Sequence, residues 1–266
     1  PVPAIKSIHI APVKSLALIS PSKVQLGMRG IEEDRRFLLI DDAGAMITQR
    51  QIGKIAQVSA DYCIATDTLR LDFPSGESVS ASPELGGCVE TKVFRRMVSG
   101  KVDTGELSQA LSDFCGAKLS LVMTDNPGEC FDAYPVTLLS QASIERLGDV
   151  AQDRIPQHGV ELEYRRFRPN FLLEGCDAHE EDSWLGKEVR VGDEVHLRVE
   201  ALDPRCAITT LNPDTGERDM DTPRLILGYR PYATYKAACF GVYGSVVTPG
   251  NVSVGDELRI ADRLAD

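Results

Sequence analysis

Alternation of apolar and polar positions dominates the first half of the chain and predicts short strands. Ala4 to Ile10 alternates well enough for a half-buried strand. Arg36 to Ile40 and Ala45 to Thr48 flank Asp41-Asp42-Ala43-Gly44, a hairpin signal with glycine at the turn. Leu69, Leu71 and Phe73 alternate before Pro74-Ser75-Gly76-Glu77 turns the chain, and Cys88 to Phe94 reads as a further strand. One segment keeps helical spacing instead. Leu107, Ala110, Leu111 and Phe114 share a face, with Asp103 as the predicted N-cap, Glu106 three residues on, and Gly116 placed to end the helix.

A second unit is expected from near Leu119, and Asn126-Pro127-Gly128 is a loop signal that sets the domain boundary. The expected domains are therefore 1–124 and 125–266. Val136 to Leu139 predicts a strand, after which Ser140 caps a helix carrying Ile144 and Leu147. Val189 to Leu202 reads as a hairpin through Gly192-Asp193, and Val252 to Ile260 as another through Gly255-Asp256. Many short strands and few helices predict a mainly β fold with some α, built as barrels or strongly curved sheets.

Composition narrows the function. With 42% hydrophobic and 26% charged residues, the chain has the makings of a real core, and disorder is excluded. A net charge of -11 repels polyanions and argues against a nucleic-acid partner. No apolar run reaches the length of a bilayer span. The first twenty residues are interrupted by Lys6, His9, Pro12 and Lys14 and lack the unbroken apolar region of a secretory signal. Seven widely spaced cysteines without a CxxC exclude a zinc ribbon and suit a reducing cytoplasm, with Cys63 and Cys115 expected in the core. His9, His158, His179 and His196 are isolated and not at metal-ligand spacing.

Against the acidic background the basic residues are grouped. Lys14-Ser15 ends a strand, Arg35-Arg36 follows Asp34, and Arg50 lies in Thr48-Gln49-Arg50-Gln51. Arg165-Arg166-Phe167-Arg168-Pro169-Asn170 is the densest cluster. Arginine is the side chain best shaped to grip phosphate through paired donors, so these groups read either as solvated surface or as an anion site. Cys206 sits beside Arg205 and just ahead of Thr209 and Thr210. A cationic neighbour suits a sulfur that serves as nucleophile or soft-metal ligand, although buried structural thiols are common too. Cys176 is the only rival with polar neighbours.

These segments, in this order, closely resemble the MOSC proteins with an N-terminal MOSC β-barrel domain, the group that includes the mitochondrial amidoxime-reducing components and their bacterial relatives. The resemblance rests on Pro12-Val13-Lys14-Ser15, Asp34-Arg35, Thr48-Gln49-Arg50-Gln51, Phe167-Arg168-Pro169-Asn170, Gly175-Cys176-Asp177 and Glu181-Asp182-Ser183-Trp184. It continues through Arg205-Cys206-Ala207-Ile208-Thr209-Thr210, Pro213-Asp214-Thr215-Gly216 and Val254-Gly255-Asp256. It implies a MOSC β-barrel domain and an N-terminal β-rich domain with a molybdenum cofactor, a molybdopterin, held between them. By the same resemblance, Cys206 ligates molybdenum and Lys14, Ser15 and Arg35 hold the pterin phosphate. Arg168 and Asn170 line the pterin, Ser140, Arg205 and Thr209 belong to the same cofactor site, and Asp132 lies close to the metal as a proton donor.

The implied activity is reduction of N-hydroxylated or N-oxide compounds, with a cofactor-binding or sulfur-carrying module using a Cys206 persulfide as the alternative. Pro204 stands where relatives have Ser. No plant-type ferredoxin cysteine spacing is present, so electrons are expected from a separate protein, a ferredoxin or a cytochrome b5-like carrier.

Overall fold

The computed structural model describes residues 2–154, 162–230 and 237–261, so His158 lies outside the described residues. The largest sheet has seven strands in the order Ala4–Ile8, Phe171–Glu174, Val136–Ser140, Cys239–Thr248, Val195–Pro204, Glu188–Val191 and Leu258–Ile260. Within it only Val136–Ser140 and Phe171–Glu174 run parallel. Its two ends meet, because Ile5 N donates to Asp256 O at 2.9 Å and Leu258 N to Pro3 O at 2.7 Å. Closing a sheet on itself removes the free edges that would otherwise recruit other strands. Inside the resulting barrel pack Ile5, Ile8, Leu138, Phe171, Trp184, Val189, Val242 and Leu258. The inward positions alternate along each strand, as a pleated ribbon with one buried face requires.

The second body is a five-stranded sheet ordered Met46–Ile47, Phe37–Ile40, Ser120–Thr124, Arg96–Asp103 and Leu85–Val93. A three-stranded meander of Ser59–Cys63, Thr68–Asp72 and Ser78–Ala81 and the helix Glu106–Cys115 pack against it. The mainly β architecture is the one the alternation predicts. The expected hairpins at 36–48 and 189–202 form, with Leu39 opposite Ile47 and Val191 opposite Val195.

Other expectations change. Val252 to Ile260 is not a hairpin: Val252 pairs with Val24 while Leu258 pairs with Val191. Gly255, at φ +92°, turns the chain, but Val254 N donates to Ser22 O and Gly255 N to Ile5 O, so the turn carries the chain from one sheet to another. The helix after Asp103 begins at Glu106 with Gly105 before it, and the Asp103 carboxylate reaches forward to accept from Ser108 N at 2.9 Å. Gly116 does end it, at φ +65°, donating to Ser112 O. Ser140 Oγ accepts from Ser143 N at 3.2 Å at the start of the helix Gln141–Arg154. The helix Thr222–Tyr229, capped by Asp221, was not expected. Cys115 is buried as expected, but Cys63 is exposed, because strand alternation points Tyr62 inward.

Sheet pairing crosses the expected boundary near residue 125. Ala4–Ile8 belongs to the barrel sheet, and Lys23–Gly27 pairs with Gly250–Ser253. No described helix is long and apolar enough to cross a membrane.

Candidate functional site

A cleft of about 410 Å³ opens where the two bodies meet, and residues from both line it. From the first half come Lys14, Ser15, Arg35, Thr48 and Arg50, and from the second Asp132, Arg168, Asp203, Cys206 and Tyr243. That volume suits a small-molecule or cofactor site.

The backbone is bent to aim these side chains. Among the described residues six non-glycine positions have positive φ, and four of them line the cleft: Ser15 at 72°, Arg35 at 53°, Phe94 at 54° and Arg168 at 51°. Such conformations cost free energy and persist where surrounding bonds over-determine them. Here they do. Lys14 N donates to Phe37 O at 2.8 Å and Arg35 N to Ala11 O at 2.8 Å, fixing both segments to neighbouring strands.

Asn170 is the brace beneath them. Its Nδ2 donates to Asp34 Oδ2 at 2.9 Å and to His9 O at 3.2 Å, while Oδ1 accepts from Thr137 N and Thr137 Oγ1. Asp34 in turn accepts from Ala11 N at 2.8 Å and pairs with Arg35. Asn170 therefore reaches the cleft wall with its amide already engaged.

The cations are less well matched. Lys14 Nζ donates to Cys130 O at 2.7 Å and Asp132 Oδ1 at 2.8 Å. Burial pulls the Lys14 pKa below its ordinary value, and Arg35 adds to this against the pull of Asp132. Arg168 donates through Nη2 to Leu16 O at 2.7 Å. Burial, with Arg35 nearby, brings its pKa down to about 10 although Asp34 and Asp132 oppose the shift. It stays charged at neutral pH, so the wall carries positive charge that an anion would relieve.

Asp132 presents 58% of its side chain to the cleft. Its partial burial favours the neutral acid, but Lys14, Arg35 and Arg50 outweigh this and hold it below the usual carboxylate range. It is thus a carboxylate at neutral pH, the wrong state for the expected proton donor. Asp203 is the opposite case. Burial pushes it up to about 6, even though Arg205 and a hydrogen bond with Tyr243 pull it down.

Cys206 precedes the short 3-10 turn Ala207–Thr210, and its carbonyl accepts from Thr209 Oγ1 at 3.0 Å. Its sulfur is exposed to the cleft and takes a hydrogen bond from Arg50. The rival Cys176 is pushed up to about 12 by burial beside Glu181, Glu180 and Asp177, which makes it a poor nucleophile. Arg205 lines the cleft, but its guanidinium is engaged by Phe240 O, Phe167 O and Asp203. Thr209 is likewise spent on the turn. Ser140 lies away from the cleft, fully buried, with its hydroxyl on Ser143. Its part is to start a helix. Pro204 ends a barrel strand opposite Cys239, a position where the missing N–H is tolerated.

Arg50, Asp203 and Tyr243 were not among the residues the sequence assigned to the site. Arg50 did carry a signal, as one of the grouped basic residues. Asp203 and Tyr243 carried none, because a strand position gives no hint of the side chain opposite.

The MOSC domain family matches residues 125–259, and the MOSC N-terminal beta barrel domain matches residues 2–118. Mitochondrial amidoxime-reducing component 1 of Mus musculus is 29% identical, over 96% of this chain and 82% of its own length. Mitochondrial amidoxime reducing component 2 of Rattus norvegicus is 28% identical, over 97% and 83%. Molybdenum cofactor sulfurase 3 of Aedes aegypti is 26% identical, over 93% of this chain and 34% of its own. This chain belongs to the MOSC family, in the form that carries the N-terminal MOSC β-barrel domain.

Proposed function

We propose that the chain holds a molybdenum cofactor in this cleft and reduces N-hydroxylated or N-oxide compounds with electrons from a separate redox protein. The observation that carries the reading is one accessible sulfur facing a wall of buried, incompletely matched cations. A pterin phosphate answers the charge of Lys14, Arg35 and Arg168, and a thiolate is the ligand a soft metal takes. The chemistry of the donor set therefore fits the group. When bound, the cofactor supplies the two-electron change that removes oxygen from nitrogen.

The chain's own residues do the rest. Lys14, Ser15, Arg35 and Arg168 would hold the phosphate, and Arg50 orients the Cys206 sulfur through its hydrogen bond. Asn170, Arg205 and Thr209 keep these groups in place. Asp132, held as a carboxylate, anchors Lys14. The relatives named as amidoxime-reducing components support reduction of nitrogen–oxygen bonds, and a chain whose described cysteines are all free suits a reducing compartment such as the cytoplasm. Cys206→Ala is expected to lose both bound molybdenum, by elemental analysis, and reductase activity. A variant that retained both in full would sink the proposal.

The likeness to a molybdenum cofactor sulfurase favours a second reading, in which Cys206 carries a persulfide. Mass analysis separates the two: bound pterin with molybdenum supports the reductase, and a labile extra sulfur on Cys206 without metal supports the carrier.

A further inference from the structure

The hairpin that joins Leu85–Val93 to Arg96–Asp103 stands at the mouth of the cleft and faces two ways. Phe94 and Arg95, at its tip, line the cleft. Lys92 and Met97, which sit opposite each other across the two strands, point outward, and Met97 is 60% exposed. Between Glu90 and Asp103 the chain carries Lys92, Arg95, Arg96 and Lys101 and no acid, in a protein of net charge -11. This is the reverse of the molecule's overall sign.

The tip is firmly held. Arg96 lies over the Phe131 ring at 4.0 Å and donates to Glu129 O at 2.9 Å, with a further bond to Phe131 O. From the other side of the same 126–135 loop comes the turn at Met28-Arg29. There Gly128 packs against Arg29, and Arg29 lies 3.8 Å from Glu129. Met28 is 58% exposed and Phe94 51%. Three of the large apolar side chains left in solvent thus flank the loop that carries Asp132 into the cleft, with Lys92 and Arg95 beside them.

We propose that this cationic, apolar rim is the docking surface for a small acidic electron-transfer protein, which seats over the cleft mouth. The inference rests on the reductase reading, because only that reading requires electrons at this opening. Reducing R–NHOH breaks its N–O bond, takes up two electrons and two protons, and yields R–NH2 and water. A one-electron iron–sulfur carrier is oxidised twice per turnover. Weak redox encounters use small patches with apolar centres, and complementary charge steers them. The outward-facing Lys92 and Met97 are of no use to a small molecule inside the cleft. They are placed to meet a partner whose own surface is acidic, which the rest of this chain would repel.

The test uses the whole chain and an oxidised plant-type [2Fe–2S] ferredoxin as the probe. Titration at low salt is expected to give binding that weakens as salt rises. The double variant Lys92→Glu, Met97→Ser should weaken it roughly tenfold or more while keeping the wild-type melting temperature. With a reduced viologen as donor the loaded variant should turn over like wild type, and with ferredoxin it should fall behind. Equal binding by variant and wild type, or no ferredoxin binding by wild type, would overturn the proposal. So would capture of the chain on phosphatidylserine vesicles through Lys92 and Met97, which would make the rim a membrane contact. Loss of viologen-driven turnover in the wild type is a different result: it removes the reductase reading, while the titration still decides whether the rim binds an acidic protein.

Discussion

Arg168 is held against its own preference for water. Its guanidinium donates to Leu16 O, and its backbone is in the left-handed region at φ 51°. A residue kept at such cost, with Asp34 and Asp132 near but neither ion-paired to it among the described residues, is expected to serve a ligand more than the fold. Arg168→Met should therefore leave the ligand-free chain as stable as wild type or about 1 kcal/mol more stable. Inorganic phosphate should raise the melting temperature of wild type and not of the variant, and equal protection of both would remove Arg168 from the anion site. His9 makes a different demand. It stacks on Tyr164 at 4.2 Å, and burial pushes its pKa down to about 4 from 6.5. Below about 6.5 the unfolded chain binds a proton that the folded ring refuses, so its contribution to stability is lost as pH falls toward 4. His179 acts in the same sense. Asp203, raised to about 6 from 3.8, acts in the opposite one: its contribution is full below its unfolded pKa and lost as pH rises through about 6. Melting curves between pH 4 and 6.5 should show a shallower acid limb in His9→Gln than in wild type, and an identical limb would assign the slope to other groups.

At the scale of elements, the relation between Arg50 and Cys206 is set by two glycines. Gly53, three residues after Arg50, meets Gly216 in the loop that follows the Cys206 turn, and a Cβ on either would fall far inside the other's backbone. Only glycine permits the two segments to approach this closely. Gly53→Ala is expected to cost roughly 2 kcal/mol or more in urea unfolding and to change the alkylation rate of Cys206 by iodoacetamide. Gly87→Ala, where a Cβ meets nothing within 4 Å, should do neither. This contact also marks the limit of what the sequence made legible. Strand alternation and turn residues exposed the hairpins at 36–48 and 189–202, because both signals are local. The grouped basic residues marked Lys14, Arg35 and Arg168 only as surface or anion site and Cys206 only as a candidate thiol, and it was the resemblance of their motifs that joined them in one site. The Gly53–Gly216 approach, the Asp203–Tyr243 bond and the sheet-switching turn at Gly255 depend on segments far apart in the chain, and no local pattern encodes them. Ser140 went astray for the same reason: a serine that starts a helix and one that faces a ligand look alike from sequence.

For the whole molecule, the strands show that the two bodies are not strung end to end. The chain builds the barrel strand Ala4–Ile8 and the strand Lys23–Gly27, which pairs with Gly250–Ser253 in a small sheet packed on the barrel core, leaves for the five-stranded sheet, and returns to the barrel after Thr124. The points of exit and return touch, since Thr124 N donates to Arg36 O at 3.2 Å and Arg36 reaches back to Thr124. Residues 36–124 are in this sense an insertion whose ends are already together, the arrangement that tolerates excision best. Residues 125–261 alone would lack Ile5, Ile8, Val24, Leu26 and Ile31 from the barrel interior, strip Phe171–Glu174 of its partner on one side and leave Gly250–Ser253 without its partner strand. That fragment is expected to show no cooperative thermal transition and to bind a hydrophobic dye. Joining residues 2–35 to 125–261 through a few glycines should restore a cooperative transition. It should be weaker than that of the full chain, because Val13 and Leu16 lose the core they share with Phe37 and Leu121. If 125–261 melts cooperatively by itself, the first strands are accessories and the barrel is complete without them. If only the joined chain does so, the barrel is one unit, and the cleft lies between it and a sheet inserted into its sequence.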